Sequence, residues 1–364
     1  MSLRDVRDQQ VPMRLLRNAL TRKRIPNAML FWGPGGVGKR MAAIEMAKAV
    51  NCLESTDDAC DACLSCRKVA SGNHPDIRVV SPLKKSRIID VDTVEGLNEF
   101  ASLRAYEGKW RVFVLLDADR MKGPAQNHFL KTLEEPAGNS LFILVSEYPR
   151  VLLPTIRSRC QMVRFGALRP ETVAEVLRRE RALGENAARA MAALAQGQMT
   201  RAFDLVDSER RAVVLDVAGR LADGDDPFEV AEEFSAYLDA QTAQIEAAVK
   251  NEFGVDNGNE FSREDRERLK EERMALVNAA RRHDIMEHLY LFAAWYRDQL
   301  VYGATGDMAH VLNKDQDKRL ECGGARDTAI IEKKILAIEK ARLYLERFIK
   351  EDRVFRDLFF AFAE

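Results

Sequence analysis

No run in this 364-residue sequence approaches the ~18 consecutive apolar residues of a membrane span. The N-terminus, Met1-Ser-Leu-Arg-Asp-Val-Arg-Asp8, is charged and has no apolar core of signal-peptide length. We therefore expect a cytoplasmic protein with no membrane partner. An excess of either charge is missing as well: 56 Lys and Arg nearly cancel 57 Asp and Glu, which excludes a global pull toward nucleic acid and leaves only local patches. Cysteine is scarce at six residues, and strand-like alternation disappears beyond Arg169. The 46% apolar content is ample for the cores of two to three domains.

What is present begins with Met29-Leu-Phe-Trp-Gly-Pro-Gly-Gly-Val-Gly-Lys-Arg40. A short apolar run enters a glycine-rich turn and leaves as Met41 to Val50, which has helical spacing. Strand, loop and helix in that order are the context of a phosphate-binding loop. Gly33, Gly35, Gly36 and Gly38 let backbone N–H groups turn around an anion at a helix N-terminus, and Lys39 is placed to reach the outer phosphates. The motif asks next for Ser or Thr to ligate magnesium, and Arg40 stands there. A second piece of such a site is an acid after a buried strand. Trp110-Arg-Val-Phe-Val-Leu-Leu116 followed by Asp117 fits that pattern. Arg40 is then expected beside Asp117, in the magnesium's place. The bland alternative is an anion-binding turn that holds no nucleotide.

Four of the cysteines crowd together as Cys52, Cys60, Cys63 and Cys66. In a reducing compartment this spacing favours metal ligation over disulfides, and four sulfurs leave no open coordination position. A structural zinc is expected, against the alternative of unliganded reduced thiols. His74, flanked by Pro75, reads as a loop residue.

Strands expected at 76–80, 110–116, 141–145 and 161–165 alternate with helices at 91–104 and 123–135, which describes a parallel α/β sheet. Asp90 or Asp92 caps the first of these helices. Beyond residue 166 we expect helices near 168–177, 185–196, 197–207, 212–221, 228–250, 262–282, 285–302 and 328–349. Residues 251–260 read as a loop, and Ser262-x-x-Asp265 as a capping box. The alternating Glu and Arg of 263–273 read as a solvated helix face.

Lys131-Thr-Leu-Glu-Glu-Pro136, Phe142-Ile-Leu144, Leu153-Pro-Thr-Ile156 and Ser158-Arg-Cys160 together resemble the clamp-loader ATPases of the AAA+ superfamily. Gly72-Asn-His-Pro-Asp76 and the cysteine cluster resemble the bacterial branch of that family. The likeness covers residues 11–207 and thins afterwards, where Ala337 to Leu345 is similar to an oligomerising collar. It implies a P-loop AAA+ domain with a zinc-binding insertion over 1–166, a small helical lid over 167–208 and an all-helical collar over 209–364. Gly33, Gly35, Gly36, Gly38, Lys39, Arg40, Asp117 and the lid residue Arg201 would form the nucleotide site, although Arg201 also reads as an ordinary helix-surface arginine. Arg159 would project to a neighbour's ATP and stabilise charge in trans, although by its residues alone it reads as a surface salt bridge. Two departures from the family argue against hydrolysis by this chain. Ala118 replaces the glutamate that usually activates water, and Ser146 or Glu147 replaces the Thr or Asn of the first sensor. The implied ligands are a structural zinc and, more weakly, ATP or ADP. The implied partners are gamma/tau and delta subunits, with the sliding clamp and primed DNA reached through the complex. The competing implication is an active gamma/tau-like motor in which Asp119 supplies the missing acid. A zinc-stabilised protein whose loop holds some other anion is the third reading.

Overall fold

The computed structural model describes residues 2–82, 88–136, 138–252, 263–322 and 327–364. Two compact units emerge, Met1–Val173 with Gln196–Arg201 and Ala174–Ala195 with Ala202–Glu364. Among the described residues no helix is long and apolar enough to cross a membrane.

The first unit runs α1 (Gln10–Thr21), β1 (Ala28–Trp32), α2 (Lys39–Val50), α3 (Leu64–Ala70), β2 (Ile77–Val80), α4 (Val91–Ser102), β3 (Arg111–Leu115), α5 (Gly123–Glu134), β4 (Ser140–Ser146), α6 (Pro154–Arg159) and β5 (Gln161–Arg164). All strand pairs are parallel, in the order β2-β3-β4-β1-β5. This is the expected α/β sheet of the P-loop type. The apolar runs of β3 and β4 are buried along their whole length, as parallel strands covered on both faces must be, whereas β2 and β5 are edges and partly exposed. One face of the sheet packs Leu16, Ala43 and Met46 of α1 and α2 against Phe31, Val114 and Ile143. The other face buries Phe129 of α5 and Leu97 of α4 against Phe113 and Phe142, whose rings stack with centroids 4.7 Å apart.

Local signals explain where these elements start and stop. Asp90, rather than Asp92, caps α4, its side chain accepting from the Thr93 N–H at 2.9 Å. Pro136 follows the end of α5. Trp32 pairs with Ser146, and Leu115 with Leu144, so the chain leaves β1, β3 and β4 at one common edge of the sheet. In open parallel sheets that carboxyl edge is where ligands bind.

Asp76 shows how a polar residue fixes part of this frame. It is fully buried just before β2, and its carboxylate accepts from the N–H groups of Tyr106 (2.6 Å), Glu107 (2.8 Å) and Gly108 (2.7 Å). Burial alone would raise its pKa, but these donors and Arg111 outweigh it and hold the carboxyl below the usual 3.8. Asp76→Ala leaves three partly buried N–H donors without their buried acceptor and is expected to destabilise the protein by about 2–4 kcal/mol in denaturant melts. Because the folded pKa is the lower one, the carboxylate's contribution is complete above pH 3.8 and is lost as pH falls through the folded value. In the Asp76→Ala variant that part of the acid limb should vanish.

The second unit is helical, as expected. Its elements are most of α7 (Pro170–Arg181), α8 (Glu185–Leu194), most of α9 (Met199–Asp207), α10 (Arg210–Asp223), α11 (Pro227–Glu252), α12 (Arg263–Thr305), α13 (Asp317–Cys322), α14 (Thr328–Glu346) and α15 (Glu351–Ala363). Phe234 of α11 packs on Phe355 and Phe359 of α15 with centroids 4.9 and 5.3 Å away, and Phe292 of α12 meets Phe362 at 5.3 Å. Two expectations need correction. The helices expected at 262–282 and 285–302 are one helix, α12, because His283-Asp284-Ile285 contains no Gly or Pro to break it and Asp284 is held by Arg210 at 2.5 Å. The last expected helix ends earlier, where Phe348 adopts φ +59°, and α15 follows it. The loop expected at 251–260 lies outside the described residues except for Asn251 and Glu252, which belong to α11, and Ser262 of the proposed capping box is likewise outside them.

Candidate functional site

The glycine loop sits at the common edge of the sheet, between β1 and α2, with Gly38 as the cap of α2 at φ +97°. Two of its glycines are required by close approach. A Cβ on Gly33 would lie 2.2 Å from the Phe165 carbonyl oxygen, and one on Gly36 (φ +68°) would lie 2.4 Å from the N and 2.5 Å from Oγ1 of Thr200. Thr200 belongs to the first turn of α9, which therefore presses directly on the loop. Nothing in the spacing of the sequence signalled that contact.

Lys39 is buried, and its Nζ donates to the Gly33 carbonyl at 2.7 Å and to the Pro34 carbonyl. Burial lowers its pKa, against the opposing pull of Glu147, Asp117 and Asp119. Arg40, the next residue, is exposed, and no ion pair joins it to Asp117. The expectation that its guanidinium replaces magnesium beside Asp117 is therefore corrected: an arginine at the surface keeps its hydration, and a single exposed pairing adds little to offset its loss. Asp117 itself is exposed and adopts φ +49° at the turn after β3. Ala118 is fully buried, a methyl group where a water-activating acid would stand. Asp119 is already engaged, accepting from Ser146 Oγ at 2.6 Å and from the Glu147 N–H at 3.2 Å.

Of the two arginines outside the loop, Arg201 lies in α9 next to Thr200, half-buried, with its Nη1 3.4 Å from Gln196 Oε1. Gln196 and Gly197 both take left-handed conformations, φ +52° and +75°, which turn the chain into α9. Arg159 ends α6, a one-and-a-half-turn helix that the sequence did not signal, started by Pro154 in its first turn and anchored by buried Ile156. Its side chain is 38% exposed and forms an ion pair with Glu134 at 2.6 Å, plus a bond from Nη1 to the Thr155 carbonyl at 3.4 Å.

The cysteines converge as their spacing suggested. All four Sγ atoms of Cys52, Cys60, Cys63 and Cys66 lie within 4.8 Å of one another, with Cys60 and Cys66 4.0 Å apart. Sulfurs at ~2.3 Å from a shared tetrahedral ion would be roughly 3.8 Å apart, so the donor set fits a metal. Backbone N–H groups also point at sulfur: Ser55 at Cys52, Cys63 at Cys60 (both 3.3 Å) and Cys66 at Cys63 (3.5 Å). Burial would raise the Cys63 thiol, but N–H donors from Cys66 and Leu53 bring it down to about 6, whereas burial and the Cys63 sulfur push the Cys66 thiol up. His74 stays apart from this group. It is buried with Nδ1 accepting from the Asp76 N–H at 3.1 Å and Nε2 3.2 Å from Ser65 Oγ, so it is a loop residue as expected.

A family model described as "DNA polymerase III, delta subunit" matches residues 8–169. The DNA polymerase III subunit delta' of Bacillus subtilis is 37% identical over 169 residues, covering 45% of this chain and 50% of that protein. The tau subunit of DNA polymerase III from the same organism is 30% identical over 213 residues, 56% of this chain and 37% of the relative. The chain thus spans half or less of the length of these relatives. Among solved structures, a gamma subunit-related protein of DNA polymerase III from Thermotoga maritima aligns over 98% of this chain and 99% of its own, at 13% identity and a TM-score of 0.42. The match at 8–169 covers the sheet, the glycine loop, the four cysteines and Arg159, and over those residues the chain is similar to the delta and delta-prime subunits of DNA polymerase III.

Proposed function

We propose that this chain is a clamp-loader subunit that does not hydrolyse ATP and that lends Arg159 to the nucleotide of an adjacent ATPase subunit. The observation that carries the first half is the state of the acids. Ala118 is buried where the water-activating acid belongs, and Asp119, the one candidate to replace it, is committed to Ser146 and the Glu147 backbone. This weighs against the motor reading, which needs a carboxylate free to orient water. Arg40 adds to it, because a cation cannot ligate magnesium.

The second half rests on Arg159. It stands on the surface of a small helix, positively charged and half exposed, with a planar fork suited to phosphate oxygens. In this reading residues 1–166 form the nucleotide-binding-like domain, 167–208 the lid that carries Arg201, and 209–364 the oligomerising collar. The four cysteines hold a structural zinc, and the partners are gamma/tau and delta subunits, which work on the sliding clamp and primed DNA in the cytoplasm. Its contacts with DNA, made through the complex, would be to phosphates and carry little sequence information.

Steady-state phosphate release by the purified chain tests the absence of turnover. No rate above buffer is expected, with or without magnesium, and Lys39→Ala should change nothing. A measurable rate that drops in the Lys39→Ala protein would establish the motor reading instead.

A further inference from the structure

Glu147, the first residue beyond β4, places its carboxylate against the middle of the glycine loop. A Cβ added to Gly35 would lie 2.6 Å from Glu147 Oε1 and 3.3 Å from its Cδ. Lys39 Nζ is held on the same arc, bonded to the carbonyls of Gly33 and Pro34. Glu147 is braced there from behind: its N–H donates to Asp119 Oδ1 at 3.2 Å, and the same oxygen takes Ser146 Oγ at 2.6 Å. In loops of this kind the lysine marks the position of the outer phosphates. The Glu147 carboxylate acts on Lys39 through space, as its opposing pull on that lysine's pKa shows, and it repels a further anion at the same place.

We propose that Glu147 is a specificity-determining residue of the glycine loop: its carboxylate takes the place of the outermost phosphate, so that the loop accepts a nucleoside diphosphate and discriminates against a triphosphate. The inference deepens the proposed function, resting on the part of it that makes the loop a nucleotide site. It gives the missing hydrolysis a second cause, since the substrate's third phosphate would meet a carboxylate of like charge. The discrimination is electrostatic, because ADP and ATP share every other contact and differ at the position the carboxylate faces.

The test is calorimetric titration of the full-length protein with ADP and with ATP, for wild type, Glu147→Gln and Glu147→Thr. Wild type should prefer ADP by about tenfold or more, the size expected of one like-charge contact at a partly screened site. Both substitutions should raise ATP affinity by about tenfold while moving ADP affinity by less than about threefold. Glu147 is exposed, so both variants should fold, and an unchanged circular dichroism melt checks this. An ATP-to-ADP ratio near unity in wild type, a ratio unmoved in both variants, or no binding of either nucleotide by any of the three proteins would each overturn the assignment. Turnover by the isolated chain would defeat the non-hydrolysing reading while leaving this ratio measurable, so the two failures are distinguishable.

Discussion

Arg159→Ala, assembled with wild-type gamma/tau and delta subunits, is expected to slow ATP hydrolysis by about 10³-fold at the one site Arg159 serves, while this chain contributes no turnover of its own. The whole complex should lose at least that site's share of clamp- and DNA-stimulated phosphate release. The size of the effect follows from where the guanidinium acts. Charge developing on the transferred phosphoryl group is stabilised by a fixed donor pair in a site that excludes water, and removing the donors forfeits that stabilisation only in the transition state. Arg159→Lys should recover little, because an ammonium is a point charge without the fork. In the structure Arg159 rests on Glu134, with the two side chains 38% and 48% exposed. An ion pair so open to water is worth ~0–1 kcal/mol, which leaves the guanidinium available to exchange that partner for a phosphate. Reconstituted turnover equal to wild type would remove the arginine from the proposed role.

Loss of the metal is expected to have the largest effect on stability. Cys63→Ser, or strong chelation of the wild-type protein, should abolish metal content by mass spectrometry and cost more than about 4 kcal/mol in a thermal or denaturant melt. The reason lies in how little else holds the segment between α2 and α3. Its buried cluster consists of Cys52, Ala59, Cys63 and Cys66, with Cys60 packed beside them. Surrounding links such as Arg17–Asp57 (3.2 Å) are partly exposed ion pairs of small individual worth. Lys48, bonded to Glu45 and Asp61 at 2.9 Å each, ties the segment to α2 but does not close it. A protein purified without chelators that contains no metal would contradict the assignment.

Much of the first unit was legible because its elements obey short-range rules. The β3 and β4 runs are apolar and β-branched over their full length, Asp90 sits at a capping position, and Pro136 ends a helix. Each of these is a statement about neighbouring residues, and each holds in the fold. The cysteine cluster was legible for the same reason, since two CxxC steps and one residue at the end of α2 confine four sulfurs to a small volume. Helix breaks in the second unit were harder to read. The apolar spacing lapses between residues 282 and 285, yet Asp284 is held by Arg210 across helices and the helix continues. Phe348 ends α14 through a left-handed backbone conformation that nothing in its residue type announces.

The amino-acid sequence by itself determined the α/β class, the glycine loop with its missing magnesium ligand and the crowding of four cysteines, because each depends on residue type and local spacing. Tertiary structure alone decided what surrounds the loop. Arg40 faces solvent and leaves Asp117 unpaired with it, Asp119 is taken by Ser146, Thr200 abuts Gly36, and Glu147 abuts Gly35. These contacts join residues up to 164 positions apart, Gly36 and Thr200 being the farthest. Those of Asp119 and Glu147 arise because parallel strands bring the ends of β1, β3 and β4 to one edge, a juxtaposition set by the order of strands in the sheet, while Thr200 reaches the loop from the start of α9, and no local pattern encodes either.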